Sequence, residues 1–224
     1  PKGMPEWMMI NSIEPSVFDP ATCYVAATKY KTGDFNPYLY KTSDYGASWE
    51  KITKGMNKEH FTRVVREDPN QKGLLYAGTE TGMYISFNDG DSWKEFQLNL
   101  PIVPITDLTI KDGNLIVATQ GRSLWIVDDL SVLHQLANAK NKGTYLFTPK
   151  DTYRMGGGSR AGSLTEGANH PSGVMTYFNL ANGEDKKVTL SYLSMANDTI
   201  KKFSTSPDKI KNSDALSVSV GANY

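Results

Sequence analysis

Cysteine is almost missing from this chain: Cys23 stands alone among 224 residues. A lone cysteine forms no disulfide within the chain, and a zinc centre built on cysteine is excluded. Its neighbours Tyr24-Val25-Ala26-Ala27 are apolar, so a buried structural thiol is expected. Histidine is scarce too, three in all, and His60 and His134 stand at no metal-binding spacing. Net charge is missing: 24 lysines and arginines balance 24 aspartates and glutamates. That removes the long-range field that would favour nucleic acid or an anionic membrane. No apolar run approaches the roughly 20 residues of a membrane helix. No charged-then-apolar leader follows Pro1, so any export signal is expected to lie upstream or to have been removed. What remains, 39% hydrophobic and 21% charged residues, is the balance of a folded chain with one large or two ordinary domains.

A repeat organises the first 130 residues. Thr42-Ser43-Asp44-Tyr45-Gly46-Ala47-Ser48-Trp49 matches Ser86-Phe87-Asn88-Asp89-Gly90-Asp91-Ser92-Trp93, with Asp44 and Asn88 44 residues apart. Upstream, Val25-Ala26-Ala27-Thr28 matches Tyr76-Ala77-Gly78-Thr79 at a distance of 51, and Asp19-Pro20 matches Asp68-Pro69. A third copy reads Val117-Ala118-Thr119-Gln120-Gly121, then Leu124-Trp125-Ile126-Val127. Repeats of about 40–45 residues with four short strands each are the signature of propeller blades.

The motif has a local physical reason. A hairpin between the third and fourth strands needs a residue that tolerates positive φ, which Gly46 and Gly90 supply. Asp44 and Asn88 can accept bonds from the turn's own amides, while Thr42 and Ser86 tie its strand side. Trp49 and Trp93 then bury a ring under the hairpin. The motif staples a turn and carries no chemistry.

The expected fold is all-β: a partial β-propeller of about three four-stranded blades, followed by a partial immunoglobulin-like β-sandwich. Blade one is expected over 8–53 (strands 8–12, 22–30, 37–43 and 49–53). Blade two is expected over 61–97 and blade three over 105–127. Blade three then leaves the pattern, because Asp129 has no following Gly and Trp, and Leu130, Leu133 and Leu136 recur at helical spacing with Asp129 as N-cap. The domain expectation is 1–140 for the propeller part, 141–173 for a strand and linker, and 174–224 for the sandwich part.

Pro37-Tyr38-Leu39-Tyr40-Lys41-Thr42-Ser43-Asp44-Tyr45-Gly46, Arg66-Glu67-Asp68-Pro69, Leu74-Leu75-Tyr76-Ala77-Gly78-Thr79-Glu80 and the run from Val117 to Leu130 resemble the bacterial Asp-box (BNR) repeat proteins. These are long exported proteins, often named glycosyl hydrolases, with a propeller similar to that of sortilin. The resemblance covers residues 13–136 and implies that this chain is part of a longer, secreted, periplasmic or cell-surface protein. The hydrolase name follows the repeat rather than the chemistry. Family members often carry histidine where Thr106 and Gln120 stand here, so any role resting on those histidines is missing.

Residues 155–173 hold six glycines and three serines and are expected to be a linker or loop. Gly156-Gly157-Gly158-Ser159-Arg160 has no Gly-Lys-Ser/Thr ending, so a phosphate cradle is set aside. Strands are expected at 144–147, 174–178, 187–192 and 200–204, with turns at 183–185 and 196–198. Asn169-His170-Pro171-Ser172-Gly173-Val174 resembles the start of the immunoglobulin-like sandwich that follows the propeller in these bacterial proteins. That sandwich is expected to be incomplete here.

Blade geometry separates staple from site. The turn between strands three and four lies on one rim; the connection from strand two to three and the links between blades lie on the other. Ligands are expected at the second rim, at Lys31, Asp34, Phe35, His60, Arg63, Glu80, Thr106, Gln120 and Arg122. Blade one's connection there is longer than blade two's by seven residues (the excess of 51 over 44), and Lys31-Thr32-Gly33-Asp34-Phe35 projects from it. Its plain alternative is a solvated insertion. A glycosidase needs two carboxyl groups about 5–9.5 Å apart, and Glu80 and Asp34 are the acids on that rim. Asp128-Asp129 lacks the spaced oxygen ligands of a calcium site. No metal or cofactor is expected.

Three functions follow: a non-catalytic module binding a peptide or glycan, part of a glycoside hydrolase with acids shared with further blades, or cell-surface architecture. The expected partners are such a ligand, the rest of the parent propeller, and a second copy through open sheet edges, with neither nucleic acid nor membrane insertion.

Overall fold

β1 (Met9–Pro15), β2 (Cys23–Lys29), β3 (Asp34–Thr42) and β4 (Glu50–Lys51) form one antiparallel sheet in chain order. The computed structural model to which they belong describes residues 1–138, 143–153, 173–181, 187–206, 214–219 and 221–223. Two units separate by their contacts, Pro1–Asn138 and Ala139–Tyr224.

In the first unit, β5 (Thr62–Glu67), β6 (Leu75–Thr79), β7 (Met83–Ser86) and β8 (Lys94–Glu95) repeat the same four-stranded meander. β9 (Ile105–Lys111), β10 (Asn114–Thr119) and β11 (Leu124–Val127) form a third meander of three strands. β5 packs on β1, β2 and β3, and β9 packs on β5 and β6. Successive meanders stacked first strand to first strand are the blades of a propeller. The chain is all-β with part of a propeller: two blades of four strands and one of three.

Strands between two blades are covered on both faces, so they read as continuous apolar runs rather than alternating ones. Tyr24, Ala26, Leu39, Ile52 and Met56 meet Val65, Leu75, Ala77, Tyr84 and Trp93 in the core between blades one and two. A second core joins Val64, Leu74, Tyr76, Met83 and Ile85 to Ile105, Leu108, Leu115 and Val117. Gly78 has no side chain because a Cβ there would collide with Ile105 and Val64.

The register corrects the alignment of the second strands. Cys23 pairs with Thr42, and Leu75 pairs with Ser86. Tyr24 is therefore the counterpart of Tyr76, 52 residues on rather than 51. The same spacing places Asn11 and Arg63 at matching bulges, between Ile10 and Ser12 and between Thr62 and Val64. Blade one's extra length is thus eight residues, the excess of 52 over 44. It forms a short helical turn, Tyr30–Thr32, ended by Gly33 at φ 79°, and lengthens the start of β3.

After β11, Asp129 Oδ1 accepts from the Ser131 amide at 3.1 Å and α1 (Ser131–Asn138) begins. Leu130 is buried in the core and Leu133 packs against it, but Leu136 is exposed, so the three leucines do not share one buried stripe.

In the second unit, β12 (Tyr145–Leu146), β13 (Phe178–Leu180), β14 (Thr189–Leu193), β15 (Thr199–Ser204), β16 (Asp214–Ala215) and β17 (Gly221–Asn223) form two three-stranded sheets, ordered β12-β13-β17 and β14-β15-β16. β16 runs parallel to β15. The strand expected over 174–178 starts only at Phe178; before it, the Thr176 and Tyr192 hydroxyls meet at 2.6 Å. The turn expected at 196–198 is present, with the Asn197 amide donating to Ser194 O and the Ser194 amide to Asp198 O. The Gly156–Arg160 run, most of the 155–173 linker and the 183–185 turn lie outside the described residues.

Candidate ligand-binding face

The two boxed turns share one bonding plan. Thr42 Oγ1 donates to Asp44 Oδ1 at 2.7 Å and accepts from the Gly46 amide at 2.9 Å. Asp44 accepts from the Ser48 amide at 2.9 Å and hydroxyl at 2.6 Å. Those two bonds, the hydroxyl's first, hold the Asp44 carboxyl down to about 2. In the second turn Ser86 Oγ donates to Asn88 Oδ1 at 2.9 Å and accepts from the Gly90 amide at 3.0 Å, and the Ser92 amide donates to Asn88 Oδ1 at 3.0 Å. Each turn carries two consecutive left-handed residues, Tyr45-Gly46 and Asp89-Gly90. Trp93 is buried and its Nε1 donates to Ile52 O at 2.7 Å, whereas Trp49 is only half-buried, against Val25, Ala27, Tyr38 and Tyr40.

The meander order sets these turns on one rim and the β2–β3, β6–β7 and β10–β11 connections on the other. On the second rim, four side chains gather around Phe61. Its ring stacks on Tyr30 with centroids 5.2 Å apart and tilts against Phe35 at 6.1 Å. The Arg63 guanidinium lies over it at 5.5 Å and pairs with Glu80 Oε2 at 2.5 Å. The Glu80 amide donates to Phe61 O at 3.1 Å, which seats the β6–β7 turn against β5. Phe35 remains half exposed (50%). Phe35, Arg63 and Glu80 are thus brought together from blades one and two, and Tyr30 and Phe61 join them.

The other expected residues stand apart from that cluster. Asp34 accepts from the Tyr38 hydroxyl at 2.6 Å and from Asn36 Nδ2 at 2.8 Å. These bonds, Tyr38's first, hold its carboxyl at about 2. Lys51 Nζ lies 4.2 Å over the Tyr38 ring. His60 Nδ1 meets the Tyr84 hydroxyl at 2.8 Å. Lys31 is exposed on its helical turn. In blade three, Thr106 Oγ1 donates to Ala118 O, the Gln120 amide donates to Pro104 O, and the Arg122 amide donates to Thr119 Oγ1.

A polar chain along the inner strands belongs to no sequence motif. Arg66 donates to Leu108 O at 2.9 Å, to Asp107 Oδ1 at 2.6 Å and to Ser12 Oγ at 3.2 Å, and it lies 3.5 Å from Glu14 Oε2. One side chain therefore bridges β1, β5 and β9. The signal in the sequence is that Glu14 and Arg66, of opposite charge, stand 52 residues apart, at one register position of successive blades. Asp68, fully buried, gathers His134 Nε2 at 2.8 Å, the Tyr76 hydroxyl at 3.1 Å and the Asn70 amide at 2.9 Å. That joins α1 to blade two.

Among the described residues, no group of three or more His, Cys, Asp or Glu side chains is placed to hold a metal ion, and no helix is long and apolar enough to cross a membrane. Cys23 is half-buried rather than enclosed.

No family model and no curated protein matches the chain. Among solved structures it is similar to an ancestral GH74 enzyme, at 20% identity and a TM-score of 0.42, over 50% of this chain and 14% of that one. It is similar to the GH74 enzyme of Niastella koreensis, at 12% identity and a TM-score of 0.43, over 76% of this chain and 28% of that one. YCF48 bound to D1 peptide is a third likeness, at 17% identity and a TM-score of 0.38, over 53% of this chain and 36% of that one. The chain spans between 14% and 36% of the length of these structures.

Proposed function

We propose that this chain supplies part of the ligand-binding rim of an exported Asp-box propeller and binds an extended peptide or glycan without catalysis. One observation carries the reading: Phe61 is framed by Tyr30, Phe35 and the Arg63–Glu80 pair on the rim opposite the boxed turns. An aromatic edge offers apolar contact to a sugar ring or a side chain, and a paired guanidinium and carboxylate offer donors and acceptors beside it. The chemistry needed for glycoside hydrolysis is less well served. A general acid must hold its proton near neutral pH, whereas Asp34 is kept ionised to about pH 2; the Glu80 carboxylate is already occupied as an acceptor by the Arg63 guanidinium.

The shared bonding plan of the two turns supports the Asp-box family reading. The second unit is read as the beginning of an immunoglobulin-like sandwich. On the same resemblance the protein is read as exported, which fractionation of the native host tests.

Binding to immobilised polysaccharides and to a displayed random-peptide library tests the function. Wild-type protein is expected to retain one ligand class, and Phe35→Ala and Arg63→Ala to lose it. Hydrolysis of a polysaccharide by the parent protein, abolished by Glu80→Gln, would overturn the non-catalytic reading.

A further inference from the structure

Three residues at the start of the chain recur 52 residues later: Lys2-Gly3-Met4 and Lys54-Gly55-Met56. The second copy leaves blade one after β4 and leads into blade two. The Trp93 amide donates to Lys54 O at 2.8 Å, and the Trp49 amide donates to Lys2 O at 3.0 Å. Gly3 and Gly55 both sit at φ 93°, and a Cβ on either would strike the carbonyl of the tryptophan it faces. Met56 is buried between blades one and two, and Met4 packs against the outer face of blade one. Toward blade one, Lys2-Gly3-Met4 therefore does what the tail of blade one does toward blade two.

The face beneath it is unfinished in the same register. Val65, Leu75 and Ala77 face backward from blade two and are fully buried, as are Leu108, Leu115 and Val117 of blade three. Their counterparts in blade one are Ile13, Cys23 and Val25. Val25 is buried, Cys23 is half-buried and Ile13 is 63% exposed. Ile10, Ile13, Cys23 and Val25 line, with Met4 and Trp49, an open groove of about 430 Å³. Side chains of this type and register are enclosed wherever a blade precedes them.

We propose that this groove is the seat of a further four-stranded blade whose fourth strand runs into Pro1. The occupant presents an apolar sheet face with the pattern that blade one presents to blade two: an aromatic residue on its second strand, an aliphatic residue on its third and another just after its fourth, as Tyr24, Leu39 and Ile52 do. A second copy of the chain fits less well, because the rim of the seat is already filled by Lys2-Gly3-Met4, the segment through which a preceding blade enters covalently. Continuity with two finished blade interfaces, and not the exposure alone, assigns the occupant.

Cys23 is the only thiol in the chain and lies in the groove, so native-state maleimide labelling reads the seat directly. The probe pair is this 224-residue chain and the same chain carrying its natural upstream sequence of about 45 residues, one blade repeat. Labelling of Cys23 is expected to slow by about 100-fold or more in the longer chain, where reaction must await local opening. Ile13→Cys in a Cys23→Ser background is expected to show the same protection, and neither substitution disturbs a closed core. Equal labelling rates in the two chains would overturn the proposal, as would an upstream sequence without a four-strand pattern. Protection that appears in the 224-residue chain alone and grows with its concentration would assign the groove to a second copy instead.

Discussion

The Tyr24 hydroxyl donates to Asp89 Oδ1 at 2.6 Å, tying the second strand of one blade to the boxed turn of the next. Lys41 Nζ meets the other oxygen of Asp89, also at 2.6 Å. Burial first, then the bond and charge of Asp89, pushes the Tyr24 hydroxyl's pKa up, so it stays a donor at neutral pH. Tyr24→Phe keeps the buried ring and deletes a bond to a charged acceptor. It is expected to cost about 1–3 kcal/mol in urea unfolding. Asp89→Ala removes the same link from the other side, so the double variant is expected to cost less than the two single costs combined. Strict additivity would show that the two residues do not act as a pair.

The two motif tryptophans are chemically alike but unequally enclosed. Trp93 is buried between blades one and two and donates to Ile52 O, while Trp49 lies half-buried on the outer face of blade one. Trp93→Ala is expected to cost about 3–5 kcal/mol, the range for a large ring removed from a closed core. Trp49→Ala is expected to cost about 1–2 kcal/mol, since much of its surface stays in water in both states. Equal costs by denaturant unfolding would contradict the difference in packing.

Arg66 links three inner strands, and the more buried of its two carboxylate partners, Glu14, gives it a pH signature. Burial raises the Glu14 carboxyl above its ordinary value of 4.5, and the Arg66 charge acts against that rise. A carboxyl that holds its proton more tightly in the folded state favours folding below its unfolded value. That contribution is lost as pH rises from about 4.5 through the raised folded value. Arg66→Met removes the opposing charge, raises Glu14 further and steepens the loss. The variant is expected to cost about 1–3 kcal/mol at pH 7, a range lowered for the partial exposure of the pair, and less at pH 4. A cost that stays constant between those two pH values would remove Glu14 from the account.

The boxed turns were legible because their bonds are local: Thr42, Asp44, Gly46 and Ser48 serve one another within seven residues of chain. Asp89 was not, because its partners Tyr24 and Lys41 belong to the preceding blade and its own motif position tolerates Tyr45 in the first copy. The 51-residue alignment follows from matching small residues, Ala26-Ala27-Thr28 with Ala77-Gly78-Thr79. The correct spacing of 52 is fixed by which residues share a blade face, a property of the folded sheet. The rim site was half legible. Phe35, Arg63 and Glu80 stood out as polar or aromatic residues at strand ends, but Phe61 is a buried residue at a blade link, with no feature to separate it from core.

Phe35 and Phe61 touch at the rim and differ in what each supports. Phe61 is buried under Tyr30, Phe35 and Arg63, so Phe61→Ala is expected to cost about 3–5 kcal/mol by the usual core penalty. Phe35 is half exposed at the end of a projecting connection, so Phe35→Ala is expected to shift stability by no more than about 0.5 kcal/mol. If the rim binds ligand through its aromatic edge, Phe35→Ala weakens binding at unchanged stability. Phe61→Leu, which keeps most of the buried volume, is expected to lose affinity mainly through the tilt of Phe35 and the seat of Arg63. Isothermal titration beside thermal unfolding separates the two effects. A Phe35→Ala variant that unfolds earlier yet binds normally would make this edge part of the scaffold and move the ligand elsewhere on the rim.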